Sequence, residues 1–200
     1  MHKLIKISFF SGIFLCITAI LVILATYVYI KPDLPEISLV DESELQMPLK
    51  VFTKDRVLIG EFGEIKRRAT NYEEIPKDIK NAFLAAEDDN FFNHQGISYK
   101  GLIRSFIRCL RPNGCEGGGG TITMQVVRGY LLTRDQTVIR KIREIFLALE
   151  LEGISNKEEI FELYVNRIFL GNRSYGIEAA SNTYFDKGLK DLTLSESATI

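Results

Sequence analysis

From Ile7 to Ile30 the chain runs ISFFSGIFLCITAILVILATYVYI, 24 residues without a charged side chain, and no other feature constrains its folding so strongly. At about 1.5 Å per residue, a helix of this length covers the roughly 30 Å hydrocarbon core of a bilayer. His2, Lys3 and Lys6 precede the run, while Asp33, Glu36, Asp41, Glu42 and Glu44 follow it. The positive-inside rule then makes residues 1–6 a cytoplasmic tail and 7–30 an anchor, with everything later on the outer face. A cleaved leader is the alternative, but the run is long for a leader's apolar region and ends in TYVYIKP without a small-x-small site. Cys16 is preceded by Leu15, where lipid attachment would want a small residue.

Beyond the anchor, residues 31–50 read as an acidic linker and 51–200 as one domain. A hydrophobic content of 46% in 200 residues is enough for a core. The net charge of −1 conceals a basic block: nine Lys or Arg against three acids between Lys100 and Glu144. Such a block suits an anionic ligand, or is a solvated basic face. The outward topology argues against nucleic acid as that ligand. Cys109 and Cys115 flank LRPNG, where an oxidising compartment permits a local disulfide without demanding one. With neither CxxC nor HExxH in the chain, a metal centre has little support.

Residues 49–68 alternate as a two-stranded ribbon turning at Lys54 to Arg56. The period then changes to that of helices. IPKDIKNAFLAAED places Pro76 near a first helical position and Ile79, Ala82, Phe83 and Ala86 on one stripe. Glu87, four residues past Phe83, falls on that stripe, with Asp88 and Asp89 turning away. Burial and a helix C-terminus both disfavour a charged carboxylate, so Glu87 is expected to have a raised pKa suited to a general base, unless the three acids are a solvated cluster. GLIRSFIRCLR sets Leu102, Ile103, Phe106, Ile107 and Leu110 against Arg104, Arg108 and Arg111. NGCEGGGGTITMQVVR is a glycine-rich loop entering a helix at Thr121 or Thr123; it exposes N–H groups able to hold phosphate, though it lacks the GK[ST] of a Walker loop.

TVIRKIREIFLALELEG predicts a helix with Val138, Ile142, Ile145 and Leu149 inward, and Arg140 spaced for an intrahelical ion pair with Glu144. Ser155 and Glu158 form a capping box for a helix ending near Gly171, and Thr193 with Glu196 another, opening a helix that Ile200 cuts off. With little strand after the ribbon, the fold class is mainly α with a small N-terminal β ribbon behind one transmembrane helix.

In order, EDDNFFNHQG, GGGTITMQVVR, RKIRE and ELYVNRIFLGNRSYGIEAAS resemble the four motifs of the family 51 peptidoglycan glycosyltransferases. This is the transglycosylase module of class A penicillin-binding proteins and of their monofunctional relatives. The resemblance implies a lysozyme-like helical domain on the outer (periplasmic or extracellular) face of the bacterial cytoplasmic membrane. It polymerises lipid II into β-1,4 glycan strands by inverting transfer, releasing polyprenyl pyrophosphate. Its partners would be lipid II, the growing glycan chain, the membrane and other proteins of wall synthesis. By the same resemblance Glu87 and Glu144 are catalytic. Glu87 is the general base for the acceptor 4-hydroxyl; Glu144 assists the leaving pyrophosphate directly or through a divalent cation such as Mg or Mn, no cofactor being required. Asp88, Phe91, His94, Thr121, Gln125, Arg128, Arg140 and Lys141 are implied as the substrate-binding set, with Asp88 adjusting the loop or base, and Phe91 and His94 as packing and hydrogen-bonding supports.

This chain departs from the family pattern where Gly120 replaces a serine, Met124 a glutamine and Arg128 a lysine, and where Gln136 stands at an often basic position. These changes predict altered affinity for the donor. Family chains continue through further helices, so the domain is expected to be truncated at Ile200. An inactive lipid II-binding scaffold is the alternative from another class, and a lytic hydrolase the alternative enzyme.

Overall fold

The computed structural model describes residues 2–37, 49–56, 58–62, 66–109, 120–132 and 137–200. They divide into a unit ending at Glu36 and a second beginning at Ile37. The first is the helix α1 (His2–Ile30), followed by a short 3-10 turn, Lys31–Asp33. Apolar residues such as Phe14, Leu21 and Tyr29 are exposed around α1. Its hydroxyls are satisfied internally: Thr18 donates to the Phe14 carbonyl at 2.8 Å and Thr26 to that of Val22 at 2.7 Å. This helix is long and apolar enough to cross a membrane.

The second unit opens with the ribbon expected from alternation. β1 (Leu49–Phe52) pairs antiparallel with β2 (Leu58–Phe62), and Arg56 turns the chain with φ 62°. A second, parallel pairing was not legible: β3 (Lys66–Arg67) lies beside β4 (Ser174–Tyr175). Next to it the Asn166 amide accepts from the Thr70 N–H at 2.9 Å and donates to the Thr70 carbonyl at 3.1 Å, imitating one more rung of a ladder. Two-residue strands hold because this side chain completes them.

The remainder is helical: α2 (Lys77–Glu87), α3 (Tyr99–Cys109), α4 (Ile122–Leu131), α5 (Val138–Ile154), α6 (Lys157–Arg167), α7 (Ile177–Phe185) and α8 (Leu194–Thr199). The mainly α expectation holds. α4 is the core: Ile122, Thr123, Met124, Val126 and Val127 are all buried, with α5 and α6 packed along it. Its buried Thr123 hydroxyl donates to Glu152 at 2.6 Å, and Glu152 also accepts from Lys157 at 2.6 Å, so this hydroxyl of the core helix is paired across the triad.

Several sequence expectations need correction. The buried stripe of α5 is Glu144, Leu147, Ala148 and Leu151, whereas Val138 and Leu149 are exposed. Both stripes have helical spacing, and contact chose the one that small Ala148 lets its neighbours approach closely. α6 is capped by Asn156 with Glu159, one residue later than expected, and it ends at Arg167 rather than near Gly171. On α3, Ile103 and Ile107 are exposed and Leu102 is half-buried, so these three do not form the expected core face, while the side chain of Phe106 lies outside the described ones. Of the two expected starts of α4, Thr121 and Thr123, it is Thr121 that caps the helix, and Thr193 with Glu196 caps α8 as expected. Leu110, Arg111, Cys115, Arg134 and Gln136 lie outside the described residues, and the proposed disulfide with them.

Among the described glycines, Gly96 lies closest to another segment's backbone. Its φ is +75°, and a Cβ there would stand 2.8 Å from the Ala148 carbonyl oxygen and 3.1 Å from Glu152 Cγ. Gly96→Ala is therefore expected to cost about 2–4 kcal/mol, from left-handed backbone strain plus a backbone clash. Urea denaturation of the detergent-solubilised chain measures it, and an unchanged midpoint would contradict the packing.

Candidate active site

Three segments distant in sequence converge at the N-terminus of α4. The first is the end of α2 and the turn after it. The helix stops at Glu87 because Asp88 leaves the helical path, with φ −159° and ψ 81°. That departure reverses the expected burial: Asp88 turns inward and is buried, while Glu87 is exposed. The burial on which the general-base expectation for Glu87 partly rested is absent. Asp89 is exposed.

The Asp88 carboxylate is fully engaged. His94 Nε2 lies 2.9 Å from one of its oxygens and 3.1 Å from the other, and the Ile122 N–H donates to it at 3.2 Å. Ile122 is the first residue of α4, so the anion answers an otherwise unpaired helix N–H and the positive end of the dipole. Beside it the Thr121 hydroxyl accepts from the Met124 N–H at 3.2 Å and donates to the Gly96 carbonyl at 2.6 Å. Thr121 is buried and its side chain committed to this cap. Phe91 is wholly buried, in ring contact with Phe92, His94 and Phe161, and the Lys157 ammonium stands 4.4 Å from its centroid. Phe91 and Thr121 therefore support the site from beneath; the structure does not bring them to its surface. His94 does likewise, held edge-on by Phe91 and bonded to Asp88.

The second segment is the outward face of α4. Gln125, one turn beyond Thr121, donates to Glu87 Oε2 at 2.7 Å. Arg128 follows, half-buried, and makes no ion pair among the described residues. Glu87 and Arg128 both act on Tyr164 of α6. Burial first, and then the Glu87 charge, push this phenol far above its ordinary value, with Arg128 acting in the opposite direction. Glu87, Gln125, Arg128 and Tyr164 are thus one neighbourhood.

The third segment is the first two turns of α5. Glu144 is entirely buried, with Lys141 Nζ 2.9 Å from Oε2 and Arg140 Nε 3.3 Å from Oε1, the latter a charge contact without hydrogen-bond geometry. Both cations keep part of their side chains exposed, so Glu144 is a counter-charge that holds them in place. Lys141 also reaches the glycine-rich segment: a Cβ on Gly120 would meet its ammonium at 3.6 Å. That is an ordinary contact, so the serine usual at this position would fit. Glu144 is a single buried carboxylate already facing two cations, and no group of three metal-binding side chains occurs among the described residues.

Of the residues implied by sequence, the structure gathers Glu87, Gln125 and Arg128 on one surface and Arg140, Lys141 and Glu144 on another part of the α4–α5 region. Sequence reasoning missed Tyr164. In ELYVNR it looks like one more core position beside Ile160, Phe161 and Val165, and only its unpartnered hydroxyl distinguishes it. Asp88→Ala is expected to destabilise the domain by about 2–3 kcal/mol, because His94 and the Ile122 N–H lose their acceptor together. Asp88→Asn, which keeps an acceptor, should lose less; denaturant titration of both variants checks the order.

Comparison with known proteins agrees with this architecture. Residues 55–200 match the family described as Transglycosylase. Penicillin-binding protein 1A of Pseudomonas aeruginosa is 45% identical over 198 residues, covering 99% of this chain and 24% of that protein. The Haemophilus influenzae protein of the same name is 47% identical over 159 residues, 80% of this chain and 19% of the relative. That of Vibrio cholerae is 39% identical over 198 residues, again 99% and 24%. The chain thus spans at most about a quarter of the length of these relatives. With the family matched over most of its length, the chain belongs to the transglycosylase family.

Proposed function

We propose that this domain is a peptidoglycan glycosyltransferase that polymerises lipid II at the outer face of the bacterial cytoplasmic membrane. The observation that carries this reading is an exposed carboxylate, Glu87, held by Gln125, with the cation Arg128, unpaired among the described residues, one turn further along the same helix α4. In the reaction, Glu87 takes the proton from the 4-hydroxyl of the acceptor sugar as that oxygen attacks the anomeric carbon of the donor. The bond from that carbon to the pyrophosphate oxygen breaks, its electron pair leaves with the lipid pyrophosphate, and the configuration inverts. Gln125 fixes the base by its amide. Arg128 offsets charge building on the leaving group, and Lys141 and Arg140, held by Glu144, extend the cationic surface for the phosphates.

Phe91, His94, Asp88 and Thr121 keep the base and the α4 N-terminus in register. Membrane attachment fits the same substrate: α1 is the anchor, its basic N-terminal end cytoplasmic by charge, and the exposed Tyr99, Ile103 and Ile107 of α3 give the domain an apolar face for the bilayer surface. Arg128, unpaired among the described residues, favours transfer over hydrolysis of finished glycan, which carries no pyrophosphate to stabilise.

Incubating the detergent-solubilised chain with labelled lipid II tests the reading. Glycan polymer from the parent and none from Glu87→Gln is the expected result; release of muropeptides from finished peptidoglycan without polymer, or no polymer from a folded parent, would overturn it. Arg128→Ala is expected to lower the rate about 10²–10³-fold and Arg128→Lys much less, because charge is the property required.

A further inference from the structure

Tyr164 has a hydroxyl that is buried and, among the described residues, has no hydrogen-bond partner. Such a group costs stability, and a phenylalanine of the same shape would avoid the cost. The ring itself is well held, edge-on to Phe83 at 5.9 Å and tilted against Phe161 at 6.4 Å, so packing alone does not require the oxygen. The charged groups acting on the phenol are Glu87, at the end of α2, and Arg128, on α4. The shift of its titration far upward keeps it an O–H donor throughout the working range, never an acceptor of the substrate proton. Glu87, by contrast, is an exposed side chain with one oxygen bonded to Gln125, and among the described residues nothing holds the other.

We propose that Tyr164 is a positioning residue for Glu87: its O–H is the second donor to the carboxylate, engaged when Glu87 turns from solvent toward α6 with acceptor sugar in place. This rests on the reading of Glu87 as the base. With Gln125 on one oxygen and Tyr164 on the other, the carboxylate is fixed in plane and its remaining lone pair is aimed at the acceptor hydroxyl. The surroundings of Glu87 contain few other charges. Asp88, on its own turn, is spent on His94 and Ile122, Asp89 is solvated, Arg128 comes from α4, and α8, which also packs on α2, carries only Glu196, paired with Lys187. Removing one donor from a carboxylate lets it protonate more easily, so the acidic limb of the rate must move to higher pH.

The test compares the full chain, Tyr164→Phe and Glu87→Gln on labelled lipid II, with kcat, KM, the rate–pH profile and the melting temperature of each. Tyr164→Phe should lower kcat about tenfold, leave KM within about twofold, shift the acidic limb upward by roughly one pH unit, and melt no lower than the parent. Parental kcat and profile in Tyr164→Phe, or a loss of rate without movement of the acidic limb, overturns the inference and leaves Glu87 as the base. A parent that makes no polymer, or a Glu87→Gln variant as active as the parent, overturns the earlier reading and this inference with it.

Discussion

One buried carboxylate decides where everything else in the site can be. Asp88 accepts from His94 on its own loop and from the first N–H of α4, residues separated from one another by the whole of α3 and the glycine-rich segment. The bond is charge-assisted and lies at a helix N-terminus, where anions are favoured and water is excluded. Thr121 repeats the connection with its hydroxyl to Gly96, and Gly96 lies close against the backbone of α5. Two small polar side chains and one absent side chain therefore bring α2, α4 and α5 to a common point. Glu87 benefits without taking part: its neighbour is rigid and buried, so it can itself remain open to a substrate.

The charges on α5 follow the same division. Glu144 is buried and meets no solvent, and its value is in what it does to Arg140 and Lys141, whose positions it fixes while their outer atoms stay accessible. A cation surface built this way is preorganised: the counter-charge lies behind it rather than beside it, and the side chains are ordered before any ligand arrives. Arg128 is a separate cation on α4, beside Tyr164. The planar guanidinium there in place of the family's lysine offers a fork of donors to a phosphate, a change in geometry more than in charge.

Much of this was legible in residue order, and the failures share a cause. The caps at Thr121 and Thr193 could be read because each is a local bond between neighbours. The cap of α6 was misplaced by one residue since Ser155 with Glu158 and Asn156 with Glu159 make the same pattern, and only the path of the chain chooses. α5 carries two apolar stripes, and sequence cannot say which one meets α4. The inward turn of Asp88 depends on a backbone angle at a helix end, not on composition, so the buried and exposed acids were exchanged. Tyr164 was hidden among core residues because hydrophobic periodicity does not record whether a hydroxyl finds a partner. The roles of Gln125 and Arg128 came from resemblance, and their shared helix face agrees with the spacing of four and three residues.

The amide clamp between Asn166 and Thr70 carries a consequence in time. It joins positions 96 residues apart, and the parallel pairing of β3 with β4 beside it spans a similar separation. Long closures of this kind pay their entropy before they return any contact, whereas α4, α5 and α6 are consecutive and pack at once. During synthesis the three helices can collapse as soon as they emerge, but the stretch around Thr70 must wait, without its partner, until Asn166 and then Ser174 have been made. A stretch that leaves the ribosome before any helix of the domain is thus among the last to settle.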